Sequence, residues 1–162
     1  MRIGGRLDSP YLTQSVVPGP VGLVVVRTAA GVNAMTVSLF SEVAHYPTSM
    51  WMAIAPETLT HAMLLEVRRF SFITLHAKQR ELAVACGTVS GRVSNKCAGL
   101  GLYEHRDGFL FLRDALASTA CTIERGVPEG DHTLFLCNLV SGDITGRRTA
   151  QRQLLLSDLR GA

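Results

Sequence analysis

The chain is organised as short apolar runs separated by turn-forming residues, a pattern typical of strands. The strongest run covers residues 21–28, where three successive valines at positions 24–26 favour an extended backbone. Further strands are predicted at residues 34–40, 49–55, 70–77, 108–112, 118–125 and 132–143, and a final apolar piece at 153–157 is expected to close the sheet. The first three strands are expected to form a meander.

A helix is predicted where apolar residues recur at four-residue spacing, at Leu59, Met63 and Val67. Either Thr58 or Thr60 supplies its N-cap oxygen. Arg68 and Arg69 are expected in its last turn, where their positive charges interact favourably with the helix dipole. A second short helix is predicted at residues 79–86, ended by Gly87.

Six or seven strands with two or three short helices predict an α+β fold built on an antiparallel barrel. The length of 162 residues fits one domain over residues 1–162, with a core at about 14–160. A hydrophobic fraction of 47% and a charged fraction of 18% exclude a disordered chain. The same composition suggests that a partner or cofactor covers part of the surface.

Charge and cysteine spacing narrow the class of protein further. The net charge is +3, and the cations are scattered, with Arg68-Arg69 and Arg147-Arg148 as the only pairs, so nucleic acid is not expected as a partner. No apolar run approaches the 18 or so residues that span a bilayer, so no membrane association is expected. The four cysteines lack zinc-site spacing, which predicts no metal site and reduced thiols in the cytoplasm.

Three segments are candidates for ligand contact. In the first, polar and apolar side chains alternate at a strand end, over Asn33, Ala34, Met35, Thr36, Val37 and Ser38. This alternation fits a strand end that faces a ligand, but the spacing alone favours an ordinary half-buried strand whose hydroxyls face water.

The second segment, from Pro56 to His61, joins a strand end to a helix N-terminus. Thr58 and Thr60 beside free helix N–H groups form a natural phosphate site, although simple N-capping explains one of the two threonines. The third segment, residues 86–96, combines Ser90, Gly91, Arg92 and Lys96 with further small residues. Backbone and charge together can wrap an anion there, so the two segments predict a phosphorylated ligand.

His132 begins a strongly apolar strand, where a functional histidine is plausible. Asp131 precedes it and could pair with it, but adjacent residues of a strand point to opposite faces, which weakens the case for a catalytic Asp–His dyad. No Ser-His-Asp constellation and no spaced carboxylate pair stands out, and any chemistry is expected to come from a cofactor.

Together these motifs resemble the flavin reductase-like family of FMN-binding split-barrel proteins. The resemblance covers residues 21–159, and it is most specific at residues 33–38, at residues 86–92 with Lys96, and at residues 130–136. It implies a split barrel that forms a homodimer with FMN near the subunit interface. Residues 33–38 then line the isoalloxazine, and Thr58 and Thr60 are phosphate-side hydroxyls.

The resemblance also places Ser90, Gly91, Arg92 and Lys96 near the phosphate and ribityl chain, and His132 near the barrel mouth. It implies a reductase that takes hydride from NADH or NADPH onto FMN and passes electrons to free flavin, a partner monooxygenase or ferric complexes. Two alternatives stay open: an FMN-binding electron carrier without its own nicotinamide turnover, and a barrel that has lost flavin.

Overall fold

The computed structural model describes residues 19–144 and 152–159, and its main feature is one antiparallel sheet of seven strands. These strands are β1 (Gly22–Thr28), β2 (Gly31–Val37), β3 (Phe40–His45), β4 (Thr48–Ile54), β5 (Arg69–Thr74), β8 (Ala117–Glu129) and β9 (His132–Ile144). Their order across the sheet is β2-β1-β5-β8-β9-β4-β3. Strands β6 (Leu102–Glu104) and β7 (Leu110–Leu112) form a separate antiparallel pair.

Three short α-helices accompany the sheets: α1 (Leu59–Val67), α2 (Arg80–Thr88) and α3 (Leu156–Leu159). Single 3₁₀ turns cover Ala77–Gln79 and Arg106–Gly108. The predicted α+β class with an antiparallel barrel and two or three short helices is therefore confirmed.

Strand β1 explains how the sheet divides the core. Val24 and Val26 point into the barrel with Phe70 and Phe135, while Leu23 and Val25 point to the opposite side, under α2. All four β1 side chains are at most 2% exposed, so the continuous valine run is that of a strand buried on both faces. Each such side chain stabilises the fold by roughly 1.5–3 kcal/mol through its burial.

Helix α1 packs its Met63 and Leu64 side chains into the barrel interior. Thr58 is the N-cap, because its hydroxyl accepts a hydrogen bond from the His61 N–H at 3.2 Å. The prediction that Arg68 and Arg69 lie in the last turn of this helix is wrong. Arg68 is the C-cap in a left-handed conformation (φ 50°), and Arg69 is the first residue of β5. The Arg68 guanidinium is instead bonded to the Ile123 and Glu124 carbonyls of β8.

Several sequence predictions about strands are also corrected. The first three predicted strands do not form a meander, because β4 pairs with β3 and β9 and not with β2. Strand β3 was not predicted, and the piece at residues 153–157 makes two isolated bridges and part of α3 instead of a sheet strand. Helix α2 runs through Gly87 to Thr88. The Arg147-Arg148 pair lies outside the described residues.

Candidate flavin site

The three predicted ligand segments meet around one cleft of about 290 Å³. Strand β2 supplies Asn33 and Met35, the start of α1 supplies residues 57–60, and the end of α2 with its following loop supplies residues 86–92 and Lys96. Because these segments are far apart in sequence, their convergence is a product of the tertiary fold. It places a helix N-terminus, a basic loop and a strand amide in a single cavity.

Asn33 is the most informative residue of the cleft. It is 3% exposed, and its Nδ2 donates a 2.8 Å hydrogen bond to the Thr60 hydroxyl, which is also buried. Its Oδ1 is buried and has no hydrogen-bond partner within the described residues. A buried acceptor without a partner costs about 1–3 kcal/mol, which makes Asn33 Oδ1 a candidate acceptor for a ligand that donates to it.

Gly91 lies directly beside that orphaned oxygen. A Cβ at position 91 would lie 2.2 Å from Asn33 Oδ1 and 3.0 Å from the Leu59 side chain, so only glycine lets the loop approach this closely. The loop is held against α1 by Arg92, whose guanidinium donates to the Glu57 carbonyl at 2.8 Å. Ser90 accepts from the Arg92 N–H, which tightens the same turn.

Lys96 stands at the C-terminal end of α2. Its ammonium donates to the Cys86 carbonyl at 2.7 Å and to the Val89 carbonyl at 2.5 Å. Burial lowers the pKa of Lys96, and the neighbouring Cys86 and Cys97 thiols act in the opposite direction. An ammonium has three N–H donors, so one remains for an anion in the cleft.

The structure divides the sequence-predicted cofactor residues into two groups. The cleft is lined by Asn33, Met35, Thr58, Thr60, Ser90, Gly91, Arg92 and Lys96. The Ala34 and Val37 side chains are buried in the core, and the Thr36 hydroxyl donates to the Ala83 carbonyl of α2. Ser38 follows the end of β2, and Pro56 lies in an exposed turn before α1.

Both threonine hydroxyls already have protein partners. Thr58 caps α1 and also donates to the Ala55 carbonyl at 2.9 Å, and Thr60 accepts from Asn33. The capping alternative therefore describes Thr58, while Thr60 orients the amide of Asn33. Cleft residues absent from the predicted set include Glu57, Leu59 and Val89, whose only sequence signal is their position inside the two segments.

His132 is the first residue of β9, next to the turn at Gly130, and its Nδ1 is 2.6 Å from Asp131 Oδ1. The two residues do pair, and the strand argument against a dyad does not apply, because Asp131 belongs to the turn and not to the strand. The hydrogen bond with His132 holds the pKa of the Asp131 carboxyl below its usual range. Strand β4 pairs with β9 as far as Thr133 and then leads into the start of α1, so His132 lies at the same end of the barrel as that segment.

Comparison with known proteins identifies the family to which this fold belongs. Residues 14–159 match the family described as "Flavin reductase like domain", and the chain therefore belongs to the flavin reductase-like family. No helix among the described residues is long and apolar enough to span a membrane. No cluster of candidate metal ligands occurs in the same part of the chain.

One relative by sequence and two solved structures illustrate what the chain is similar to. The chain is 30% identical over 115 residues to the reductase component of the FADH(2)-dependent resorcinol hydroxylase of a Rhizobium species, a match that covers 70% of this chain and 63% of that relative. An FMN-binding protein from Thermus thermophilus with bound p-hydroxybenzaldehyde is 26% identical, with a TM-score of 0.82 and coverage of 96% and 89%. The NADH:FAD oxidoreductase of Streptomyces globisporus C-1027 matches with a TM-score of 0.85 at 21% identity, over 99% and 95% of the two chains.

Proposed function

We propose that this protein is an NAD(P)H-dependent flavin reductase that binds FMN in the cleft between β2, α1 and the loop after α2. The observation that carries the proposal is the buried Asn33 Oδ1, which has no partner among the described residues and belongs to a residue that lines the same cleft as Arg92 and Lys96. Flavins combine N–H and hydroxyl donors with, in FMN, a terminal phosphate. The donor and acceptor set of the cleft therefore fits this ligand.

The residues of the cleft would have two separate roles in binding. Asn33 Oδ1 would accept a hydrogen bond from a flavin N–H or hydroxyl, and Thr60 holds the amide in the required orientation. Lys96, Arg92 and the N-terminus of α1 would hold the phosphate through charge and free N–H groups. When bound, the flavin supplies the hydride-accepting chemistry, while the protein supplies orientation and charge.

His132 would position the nicotinamide. Its Nδ1 is 2.6 Å from Asp131 Oδ1, and about a third of its side chain is exposed and therefore accessible to a nucleotide. His132→Ala should raise the apparent nicotinamide KM or slow flavin reduction about 10- to 100-fold, with FMN content unchanged. Asp131→Asn, which keeps the shape but removes the charge, should have a smaller effect.

The decisive experiment is anaerobic stopped-flow reduction of the FMN-loaded protein by NADH and by NADPH. Reduction by either nucleotide supports the reductase, and FMN binding without reduction by either would favour the electron-carrier alternative. A preparation that resists reconstitution with FMN would favour a barrel that has lost its flavin. Passage of electrons to a separate monooxygenase component is proposed from the relatives and is tested by adding that component with its substrate.

The phosphate assignment has its own test. FMN and riboflavin differ by the phosphate alone, so Lys96→Met should weaken FMN roughly 10-fold or more and leave riboflavin nearly unchanged. The methionine keeps much of the stem that packs near Cys86. Equal losses for both flavins would remove Lys96 from the phosphate and leave it as a cap of α2.

We further propose that the protein is a homodimer that pairs through the outer face of β3, β4, β8 and β9. This face holds a cavity of about 320 Å³ whose lining is apolar except for Arg125: Val43, Trp51, Val127, Leu134 and Leu136. Val43 is 54% exposed and Val127 46%. Pairing of this face with the same face of a second subunit would remove these apolar side chains from water. Light scattering should give a dimer for the wild type and a monomer for Leu134→Glu, while Leu65→Glu, on the exposed side of α1, should remain dimeric.

A further inference from the structure

Within one subunit, the hairpin between β8 and β9 carries His132 on an arm with little support from the rest of the sheet. Residues 124–131 are all exposed, and β4 stops pairing with β9 at Thr133, opposite Ile54. His132 lies one residue beyond that last pair, with only Glu129 of the same hairpin opposite it. The strand ladder alone therefore leaves the position of this residue relative to the cleft weakly determined.

One side-chain bond ties this hairpin to the helix that lines the cleft. His61 Nε2 lies 2.8 Å from the Thr133 hydroxyl, across 72 residues of sequence. The His61 ring is buried and packs against Phe135 of β9, with ring centroids 5.5 Å apart. His61 lies in the first turn of α1, directly after the cleft residues Thr58, Leu59 and Thr60.

We infer that His61 and Thr133 are a positioning pair, which holds His132 at a fixed place relative to the flavin cleft. This inference rests on the proposed function, since it assigns the pair a part in placing the nicotinamide. One end of the bond belongs to the helix that borders the flavin, and the other belongs to the residue adjacent to His132. A loss of alignment on the scale of 1 Å is enough to lower a reaction rate about 100-fold, so such a link has a kinetic consequence.

The test removes the hydroxyl with little change in side-chain shape. Thr133→Val should raise the nicotinamide KM or slow flavin reduction about 5- to 10-fold, with the Kd for FMN changed less than twofold. Thr133→Ser keeps the hydroxyl and should restore most of the wild-type rate. Thr122→Val, the same substitution on β8, is the matched control and should behave as the wild type.

A double-variant cycle distinguishes positioning from general destabilisation. If the pair acts through His132, adding Thr133→Val to His132→Ala should cause no further loss in flavin reduction. Multiplied losses in the double variant, or equal impairment by the serine and valine variants, would overturn the inference. A matching loss of FMN affinity would overturn it as well.

A measurement independent of turnover separates this inference from the proposed function. In the FMN-free protein, the ring signals of His132 in ¹H–¹³C NMR should shift or broaden in Thr133→Val and stay in place in Thr133→Ser and Thr122→Val. Identical His132 signals in all variants would refute the positioning role. Failure of NADH and NADPH to reduce the wild type would refute the reductase proposal. The NMR comparison does not depend on reduction, so it would still show whether the His61–Thr133 bond positions His132.

Discussion

Gly91→Ala tests how closely the loop after α2 must approach Asn33 in the candidate flavin site. The added methyl would lie 2.2 Å from Asn33 Oδ1 and 2.9 Å from its Cγ, distances that real Cβ atoms essentially never show. The backbone of Gly91 lies outside the left-handed region, so the substitution acts by sterics and not by backbone strain. Either the loop or the Asn33 amide has to move.

The magnitude follows from where the strain is relieved. Overpacking of this kind costs about 1–3 kcal/mol, and the loop is exposed at residues 92–95, so it should yield before the core does. The cost then appears in binding, and the Kd for FMN should rise roughly 5- to 150-fold by fluorescence titration. The unfolding midpoint of the FMN-free protein should change little.

Gly87→Ala is the matched control, because Gly87 lines the same cleft from within α2. Its methyl would meet the Thr36 Cβ at 3.3 Å, a contact that a shift of a few tenths of an ångström relieves. Alanine also favours the helix by roughly 0.5–1 kcal/mol, so FMN affinity should stay close to that of the wild type. Wild-type FMN affinity in Gly91→Ala, or equal losses in both variants, would refute the steric reasoning.

Three further predictions concern stability and reactivity. Arg68→Gly should destabilise the fold less than Arg68→Ala in urea unfolding, because both lose the bonds to β8 but glycine relieves the positive φ. Burial lowers the pKa of His61, with Glu57 acting in the opposite direction, so the unfolded state binds the proton more readily; stability should fall as the pH drops below about 6.5, and this slope should flatten in His61→Gln. Burial raises the pKa of both Cys97 and Cys137, the latter to about 12, but only Cys137 is fully buried, so in a thiol-labelling assay on the native protein Cys97 should react well before Cys137.

The parts of the fold that were predictable from sequence are those in which burial requires a local pattern of apolar residues. Strand β1 and the apolar face of α1 were found because a valine run and a four-residue spacing follow directly from what each element buries. Strand β3 escaped because it lies at the sheet edge, where most of its side chains are exposed and no alternation is required. The pairing of β4 with β9 joins residues about 80 positions apart, as between Met52 and Phe135, and no local signal specifies it.

The candidate site shows the same division. Glycine, hydroxyl and basic residues marked the two candidate anion-binding segments, since those residue types are needed wherever a backbone wraps a charged group. The bond between Asn33 and Thr60 and the bond between His61 and Thr133 join distant segments, so they became visible only in the tertiary structure. The Asp131–His132 pair was considered from the sequence but disfavoured, because both residues were taken as part of one strand, whereas Asp131 belongs to the turn before β9.

The Asn33–Thr60 pair offers a direct test of whether this site is maintained at the expense of stability. Asn33 is 3% exposed and Thr60 1%, and the unpartnered Asn33 Oδ1 should cost the FMN-free protein about 1–3 kcal/mol. Asn33→Leu combined with Thr60→Val replaces both partners by apolar groups of similar shape, so no polar atom of the pair is left unsatisfied. The free energy of unfolding without FMN should therefore stay within about 1 kcal/mol of the wild type or rise.

The same double variant should lose at least about tenfold in FMN affinity. At a flavin concentration 100 times the wild-type Kd, bound FMN stabilises the wild type by about 2.7 kcal/mol, and a tenfold weaker Kd reduces this to about 1.4 kcal/mol. Urea unfolding with and without FMN measures both quantities in one experiment. A double variant that loses more than about 2 kcal/mol without FMN, yet keeps the full stabilisation by FMN, would show that the pair serves the core and not the ligand. The predicted outcome is the opposite: unchanged stability without FMN and weaker stabilisation by FMN. It would identify Asn33 as a residue retained for binding, because a buried acceptor without a partner does not stabilise a packed core.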